Sequence, residues 1–234
     1  MLSSVSLRSQ VLGHAANLLL IALTAASALL CIGGHYLGRP WLVYVFKPLT
    51  MVWVIALAVQ ADGATTPLYV GLVIAGLLFS LTGDVFLMLP SDRFVQGLAS
   101  FLVAHLFYVV AFASDGGAAG PPLALLPYAV AGGLAYAWLR PGLGRMGLPV
   151  ACYVVAICAM AGFALARWLG APGPGTLLAL VGASLFVISD AVLAANRFRT
   201  PFSAAQALIL STYFAGQCLI ALSTGVGPAL LRGA

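Results

Sequence analysis

The sequence predicts an all-α membrane protein, a single transmembrane domain built as a bundle of about eight transmembrane helices. The chain is 63% hydrophobic and only 6% charged, whereas a soluble domain carries roughly 25% charged residues. Long apolar runs recur along the chain, and the connections between them are short. So few charges could not cover the surface of a water-soluble fold, and no segment is left for a soluble domain.

Clusters of glycine, proline and charged residues divide the chain into eight apolar segments, each long enough to cross a hydrocarbon core of roughly 30 Å. The first, from Ala15 to Tyr36, exceeds the roughly 7–15 residues of a signal-peptide core, so we interpret it as a span. We expect a multi-pass protein of the cell membrane, the inner membrane in a Gram-negative bacterium. The predicted spans are 15–37, 43–61, 67–89, 94–113, 122–139, 147–169, 176–195 and 201–224.

The basic residues indicate orientation. Most arginines of this chain, whose net charge is +5, lie in short loops, as is typical of membrane topology signals, and nothing indicates a nucleic-acid partner. The odd-numbered loops carry six arginines, against three on the even side with both tails, which predicts cytoplasmic odd loops and external termini. The odd set is Arg39, Arg93, Arg140, Arg145, Arg197 and Arg199, and the even set is Arg8, Arg167 and Arg232.

Several polar loop residues have structural interpretations. Asp92 lies at the start of span four, where a carboxylate complements the helix dipole. Asp62-Gly63 and Asp115-Gly116 are typical turn pairs. Thr200-Pro201 fits an N-cap followed by proline at the first position of span eight, and Asn196 fits a cap of span seven. The four cysteines lie in apolar segments without metal-binding spacing and are interpreted as apolar fillers.

The two remaining acids, Asp84 and Asp190, lie inside predicted spans. Each precedes an odd loop by six residues, about 9 Å along a helix. A carboxylate in hydrocarbon costs at least about 2.5 kcal/mol, so such residues usually face a cavity and serve function.

The surroundings of these two acids also match, at a constant offset of 106 residues. The matching residues are Gly76, Gly83 and Asp84 in the first half and Gly182, Ser189 and Asp190 in the second. Small residues on one helix face let a neighbouring helix approach closely. The pattern suggests two parallel four-helix repeats, about 1–115 and 120–234.

Other polar residues could complete a site on the odd-loop side. His105 shares a face of span four with Tyr108 and other aromatic residues, although a lone buried histidine can also be purely structural. Lys47 enters span two from the same side and either binds substrate or snorkels to the interface. Tyr213 and Gln217 share a face of span eight and either line the site or join helices. The other half of the bundle is expected to be apolar, which fits a lipid or other amphiphile as substrate.

Five short stretches carry a family resemblance. In order they are KPL at 47–49, FSLTGD at 79–84, GLASFLVAHLFY at 97–108, GASLFVISD at 182–190 and YFAGQ at 213–217. Together they are spread over roughly residues 40–220 and resemble the YhhN family, the lysoplasmalogenases. The resemblance implies a membrane hydrolase that cleaves the vinyl-ether bond of a lysophospholipid substrate, lysoplasmalogen. The products would be a fatty aldehyde and a glycerophospho-ethanolamine or -choline, and no metal or organic cofactor would be needed.

The intramembrane acids suit this chemistry. Enol-ether hydrolysis needs a proton delivered to carbon, and a second carboxylate can stabilise the resulting oxocarbenium ion or activate water, as in glycosidases. We expect Asp84 and Asp190 to share these roles, and His105 to orient one of them or shuttle the proton. Lys47 would hold the phosphate as a point charge, with Tyr108, Tyr213 and Gln217 as further substrate-binding residues.

Two alternatives use the same paired aspartates. An intramembrane aspartyl protease would match SLTGD at 80–84 to its GxGD motif, although the first glycine is missing, and PAL at 228–230 to a second element that no span follows here. A proton-coupled transporter would use the carboxyls as proton carriers, but it needs access from both leaflets.

Overall fold

The computed structural model describes residues 2–60 and 65–225, with side chains described from residue 13 onward. Within these residues the secondary structure consists of eight α-helices and three short 3₁₀ turns. The helices are α1 (Leu2–Tyr36), α2 (Pro40–Val59), α3 (Pro67–Met88), α4 (Phe94–Ser114), α5 (Leu126–Leu143), α6 (Gly147–Gly170), α7 (Pro174–Phe198) and α8 (Ala205–Leu222). The 3₁₀ turns are Gly117–Ala119, Pro122–Leu125 and Gly144–Met146.

The predicted all-α membrane bundle is confirmed. In the described part of the chain, seven segments are long and apolar enough to cross a membrane. The number is seven because α5 and α6 belong to one continuous apolar segment, Pro122–Gly170. Prolines at the starts of α2, α3 and α7 fit the first helical turn, where the missing N–H is not needed.

Two cap predictions in the α7–α8 loop are wrong. Thr200 and Pro201 are not helical, and α8 begins at Ala205. Asn196 lies inside α7, and its Oδ1 accepts a hydrogen bond from the N–H of Phe202 at 3.1 Å. The Asn196 side chain thus bonds the loop before α8 and does not cap α7.

The other loop interpretations have mixed outcomes. Asp92 lies before the first turn of α4, not within it, but its Oδ1 accepts from the N–H of Phe94, the first residue of α4, at 3.3 Å. Gly116 adopts a left-handed φ of 102° in the turn after α4, as predicted for the Asp115-Gly116 pair. The predicted turn at 62–63, the PAL stretch at 228–230 and Arg232 lie outside the described residues.

Small residues allow two helix pairs to pack closely. A Cβ added to Gly76 would lie 2.4 Å from the Tyr108 ring, and one on Gly83 would lie 2.6 Å from the Phe101 ring, so α3 packs tightly on α4. A Cβ on Gly182 would lie 2.7 Å from the carbonyl oxygen of Gly216, so α7 packs equally tightly on α8. These interfaces occupy matching places in the two halves; the repeat itself stays a prediction.

The end of the bundle away from the odd loops is not wholly apolar, contrary to expectation. Arg167 of α6 is only 2% exposed, forms an ion pair with Asp115 at the end of α4, and donates to the Tyr69 hydroxyl of α3 at 3.3 Å. The Tyr69 hydroxyl also lies 2.7 Å from Ser223 Oγ at the end of α8. Arg167 is therefore a buried structural residue that joins α3, α4 and α6, with Tyr69 extending the network to Ser223, and it does not belong in a count of loop arginines.

Candidate active site

A cavity of about 500 Å³ opens at the odd-loop end of the bundle. Loop and helix-end residues such as Arg93 and Arg197 line its mouth, and both predicted aspartates line its interior. The fold thus brings Asp84 of α3 and Asp190 of α7 to one cavity. Lys47 and Tyr213 also line it.

Asp84 is almost fully buried, with 1% exposure, and both of its oxygens have partners. Oδ1 lies 3.0 Å from the Lys47 ammonium of α2, and Oδ2 accepts a hydrogen bond from the Tyr213 hydroxyl of α8 at 2.6 Å. A buried carboxylate needs such compensation, because an unpaired charge away from water is costly. Lys47, which we expected to bind the phosphate of the substrate, thus forms an ion pair with a predicted catalytic acid.

Asp190 has different neighbours, although it lies at a similar depth. Its Oδ2 accepts a hydrogen bond from the Tyr153 hydroxyl of α6 at 2.5 Å. The same oxygen lies 3.9 Å from His105 Nε2, which is too far for a hydrogen bond. Among the described residues, no lysine or arginine lies within 4 Å of this carboxylate.

His105 lies behind Asp190 and is not among the residues that line the cavity. It is fully buried, with the ring centroids of Tyr153 and Phe186 at 5.0 and 4.7 Å. Neither ring nitrogen has a hydrogen-bond partner among the described residues. This position allows His105 to hold the Asp190–Tyr153 pair in place, whereas direct contact with a ligand in the cavity would need a rearrangement.

Tyr108 and Gln217 also lie away from the cavity lining. The Tyr108 hydroxyl donates to Gln217 Oε1 at 2.8 Å, and both side chains are fully buried. This bond joins α4 to α8, which matches the helix-joining alternative that the sequence left open.

Sequence reasoning missed Tyr153, which makes the short hydrogen bond to Asp190. The signal that could have found it is the offset of 106 residues that relates Asp84 to Asp190, because the same offset relates Lys47 to Tyr153. Each acid is therefore contacted by the residue at the matching position of the preceding helix in its own half.

The mouth of the cavity carries a surface ion pair. Arg197 Nη2 lies 2.6 Å from Asp92 Oδ2, and its guanidinium carbon lies 4.9 Å from the centre of the Phe94 ring. The hydrogen bond from Arg197 lowers the pKa of the exposed Asp92 carboxyl. Arg93 donates from Nε to Ser91 at 3.2 Å.

Comparison with known proteins identifies the family. Residues 42–224 match the sequence model of the YhhN family. The chain belongs to the YhhN family. The matched region contains every site residue described above, from Lys47 of α2 to Tyr213 of α8, so the family match and the cavity involve the same part of the chain.

Relatives fall into bacterial and mammalian groups. The membrane protein YhhN of Escherichia coli O157:H7 is 36% identical over 200 residues, 84% of this chain and 94% of the relative. Human lysoplasmalogenase TMEM86A is 39% identical over 198 residues, 78% of each chain. Human lysoplasmalogenase TMEM86B is 39% identical over 160 residues, 68% of this chain and 66% of the relative. No solved structure matches the chain.

Proposed function

We propose that this YhhN-family protein is a lysoplasmalogenase-type hydrolase. It cleaves the vinyl-ether bond of lysoplasmalogen and releases a fatty aldehyde and a glycerophospho-ethanolamine or -choline. The observation that carries the proposal is the pair of carboxyls, Asp84 and Asp190, on one cavity with unlike partners. The names of the mammalian relatives support the substrate class.

The reaction needs one proton donor and one negative charge. Protonation of the outer carbon of the C=C–O unit breaks the double bond and leaves an oxocarbenium ion. Water adds to that ion and loses a proton to give a hemiacetal. The bond from the hemiacetal carbon to the glycerol oxygen then breaks, the hemiacetal hydroxyl loses its proton and the glycerol oxygen gains one, which gives the aldehyde and the free glycerol hydroxyl. A general acid typically contributes about 10²–10⁴-fold to such a step, and a nearby carboxylate stabilises the cation, as in glycoside hydrolysis.

The two acids take different roles in this scheme. The Lys47 ammonium, 3.0 Å away, balances the charge of an ionised Asp84, which then stabilises the cation and accepts the proton from the attacking water. Asp190 is the proton donor, because its partners are a hydroxyl and an imidazole. Both partners lie on Oδ2, which leaves Oδ1 to carry the transferable proton.

The phosphate of the substrate is assigned to the mouth of the cavity. The sequence pointed to Lys47 for this role, but that ammonium is already paired with Asp84. Arg93 and Arg197 both line the mouth, and Arg197 is paired with Asp92. Arg93 is therefore the first candidate, since a guanidinium binds phosphate oxygens well.

The buried network at the opposite end favours a hydrolase over a transporter. A transporter needs a path to both faces of the membrane. Arg167, Asp115 and Tyr69 join α3, α4 and α6 at that end through an ion pair and a hydrogen bond. Opening a path there would leave the buried Arg167 guanidinium without its partner, and an unpaired buried charge costs roughly 3–5 kcal/mol.

The test is direct. The purified full chain in lipid nanodiscs is incubated with synthetic lysoplasmalogen, and free aldehyde and glycerophospho-alcohol are measured together. The proposal expects both products in equal amounts. Absence of both, with a peptide cleaved or a proton gradient dissipated in parallel assays, would replace it with the protease or the transporter.

A further inference from the structure

A second cavity, of about 80 Å³, adjoins the polar one. We call it the side groove. Its lining comes mainly from apolar residues of α4, α5, α6 and α7, with Tyr153 and Asp190 as polar members. Five residues line both spaces: Leu87, Phe94, Phe101, Asp190 and Leu193. The carboxyl assigned as proton donor therefore lies on the boundary between a polar and an apolar compartment.

The side groove runs along the helices toward the middle of the membrane. On α7 it extends from Phe198 at the loop end to Val187, eleven residues or about 16 Å. Gly132 and Cys158 line its wall on α5 and α6. Its inner end lies near the centre of a hydrocarbon core that is roughly 30 Å thick. Asp190 is three residues from Val187, or about 4.5 Å along the helix.

We propose that the side groove binds the hydrocarbon chain of the substrate, specifically the carbons nearest the bond that is cleaved. The proposal rests on the proposed function. With the glycerophosphate in the polar cavity and the chain in the side groove, the vinyl ether joins the two compartments at Asp190. The groove wall contains a carboxyl and a phenol, which are costly to bury. Binding a bulk membrane lipid requires neither group, whereas cleavage of the vinyl ether requires a proton donor.

The size of the side groove limits what it can select. Its volume of about 80 Å³ is spread along about 16 Å of α7, so the groove is narrow and fits a single hydrocarbon chain. The first carbons fit inside, and the rest of the chain continues into the bilayer past Ala191, which is exposed at the edge of the groove. The site therefore selects for the start of the chain and tolerates different total lengths.

Two small residues on different helices allow the groove to be filled. Ala191 of α7 is exposed and Ala135 of α5 is half-buried, and both line the groove. Gly132 is unsuitable, because a Cβ there would lie 2.3 Å from Cys158 Sγ and would separate α5 from α6. Ala137 of α5 is exposed and outside the groove lining, so Ala137→Leu is the matched control.

The experiment measures binding of a non-cleavable alkyl lysophospholipid, which has the ether but no double bond. The full chain is held in nanodiscs and ligand is expressed as mole fraction of lipid, so that partitioning into the bilayer cancels. Ala191→Phe and Ala135→Leu should each weaken binding at least tenfold, whereas Ala137→Leu should bind like wild type. Glycerophosphocholine, which lacks the chain, should bind wild type and all three variants equally. Unchanged melting temperatures show that the variants are folded.

The outcomes separate this proposal from the proposed function. If Ala191→Phe and Ala135→Leu both bind the alkyl lysophospholipid with wild-type affinity, the groove assignment is wrong. Aldehyde release by the same proteins would still support the proposed hydrolase. Weakened binding in both variants without aldehyde release by wild type would support the groove and overturn the hydrolase. If the two variants bind a diacyl phospholipid as much more weakly as the alkyl lysophospholipid, the groove holds bulk membrane lipid. If the wild-type chain binds no alkyl lysophospholipid, the groove assignment is also wrong.

Discussion

Asp84 and Asp190 occupy matching positions in the two predicted halves of the sequence, yet their surroundings differ. Each is contacted from the preceding helix of its own half, Asp84 by Lys47 and Asp190 by Tyr153. The two contacting residues are themselves 106 positions apart, like the two acids. In the predicted repeat, the matching position on the helix before each acid would therefore hold a cation in the first half and a phenol in the second.

The last helix of each half approaches the acid of the other half. Tyr213 of α8 donates to Asp84 at 2.6 Å, and His105 of α4 lies 3.9 Å from Asp190. The two acids differ in geometry as well as in the chemistry of their neighbours: Asp84 is contacted on both oxygens, whereas both neighbours of Asp190 lie on Oδ2. Two identical side chains in one cavity are thus made unequal by their neighbours, which acid–base catalysis with two carboxyls requires.

The largest expected effect tests whether both acids are needed. Asp190→Asn removes the transferable proton, and Asp84→Asn removes the negative charge, so each should lower kcat by about 10²–10⁴-fold. Aldehyde release is the activity measurement, and a monodisperse, cooperatively melting sample is the folding control. Near-wild-type kcat in a folded variant of either residue would remove that residue from the mechanism.

The next effect separates Lys47 from Tyr153. Lys47→Met leaves the Asp84 charge buried without its cation, which should cost roughly 3–5 kcal/mol of stability. Tyr153→Phe removes one hydrogen bond, worth about 0.5–1.5 kcal/mol. Lys47→Met should also lower kcat with little change in KM. Chemical denaturation and steady-state kinetics on the two variants check both statements.

The opposite kinetic result would revise the assignment of Lys47. A higher KM with unchanged kcat in Lys47→Met is expected if this residue holds the phosphate, because uniform binding affects KM alone. Lys47→Met combined with Asp84→Asn should recover stability but not activity, since no unpaired charge then remains.

A smaller effect concerns the neighbours from the opposite halves. His105→Ala should lower kcat about tenfold without raising KM, because His105 is behind Asp190 and off the cavity lining. Tyr213→Phe should change KM as well as kcat, since Tyr213 lines the cavity. Tyr108→Phe is the matched control: it removes a buried hydrogen bond to Gln217 and should affect stability but neither constant. A raised KM in His105→Ala with unchanged kcat would instead place His105 in contact with substrate.

The sequence predicts the fold and the two carboxyls that meet in one cavity, for physical reasons, while their catalytic role stays a prediction. A hydrophobic run of spanning length has few alternatives to a membrane helix, and the predicted spans correspond to α1 through α8. Family membership was also predicted correctly, and residues 42–224 confirm it. Asp84 and Asp190 were identifiable because carboxyls are rare inside apolar spans.

The side-chain contacts of the polar residues were harder to predict than their places in the helices. Whether Lys47 meets a phosphate or Asp84 depends on the distance between α2 and α3, which sequence spacing does not give. Tyr153 was one of eight tyrosines, and only its offset of 106 residues from Lys47 could have singled it out. Arg167 and Asp115 each had a sufficient local interpretation, a loop arginine and a turn, so their ion pair became visible only when the ends of α4 and α6 were seen together.

The smallest expected effect uses Asp92, the third carboxyl of the cavity, as a contrast with the two buried acids. Its side chain is 66% exposed, and its partner Arg197 is 46% exposed, so water and salt weaken the pair. The Arg197 hydrogen bond lowers the pKa of Asp92. A lowered folded-state pKa means that the stabilisation is present above the ordinary aspartate value of about 3.9 and is lost as the pH falls through the lowered value.

Asp92→Asn should therefore leave kcat and the melting temperature near neutral pH almost unchanged. It should also abolish the small salt-sensitive loss of stability that wild type shows below about pH 4. Melting temperatures of both proteins between acidic and neutral pH, at low and high salt, provide the measurement. A loss of kcat comparable to that of Asp190→Asn would show that a carboxyl at the mouth takes part in the chemistry, and the division of roles between Asp84 and Asp190 would then have to include a third acid.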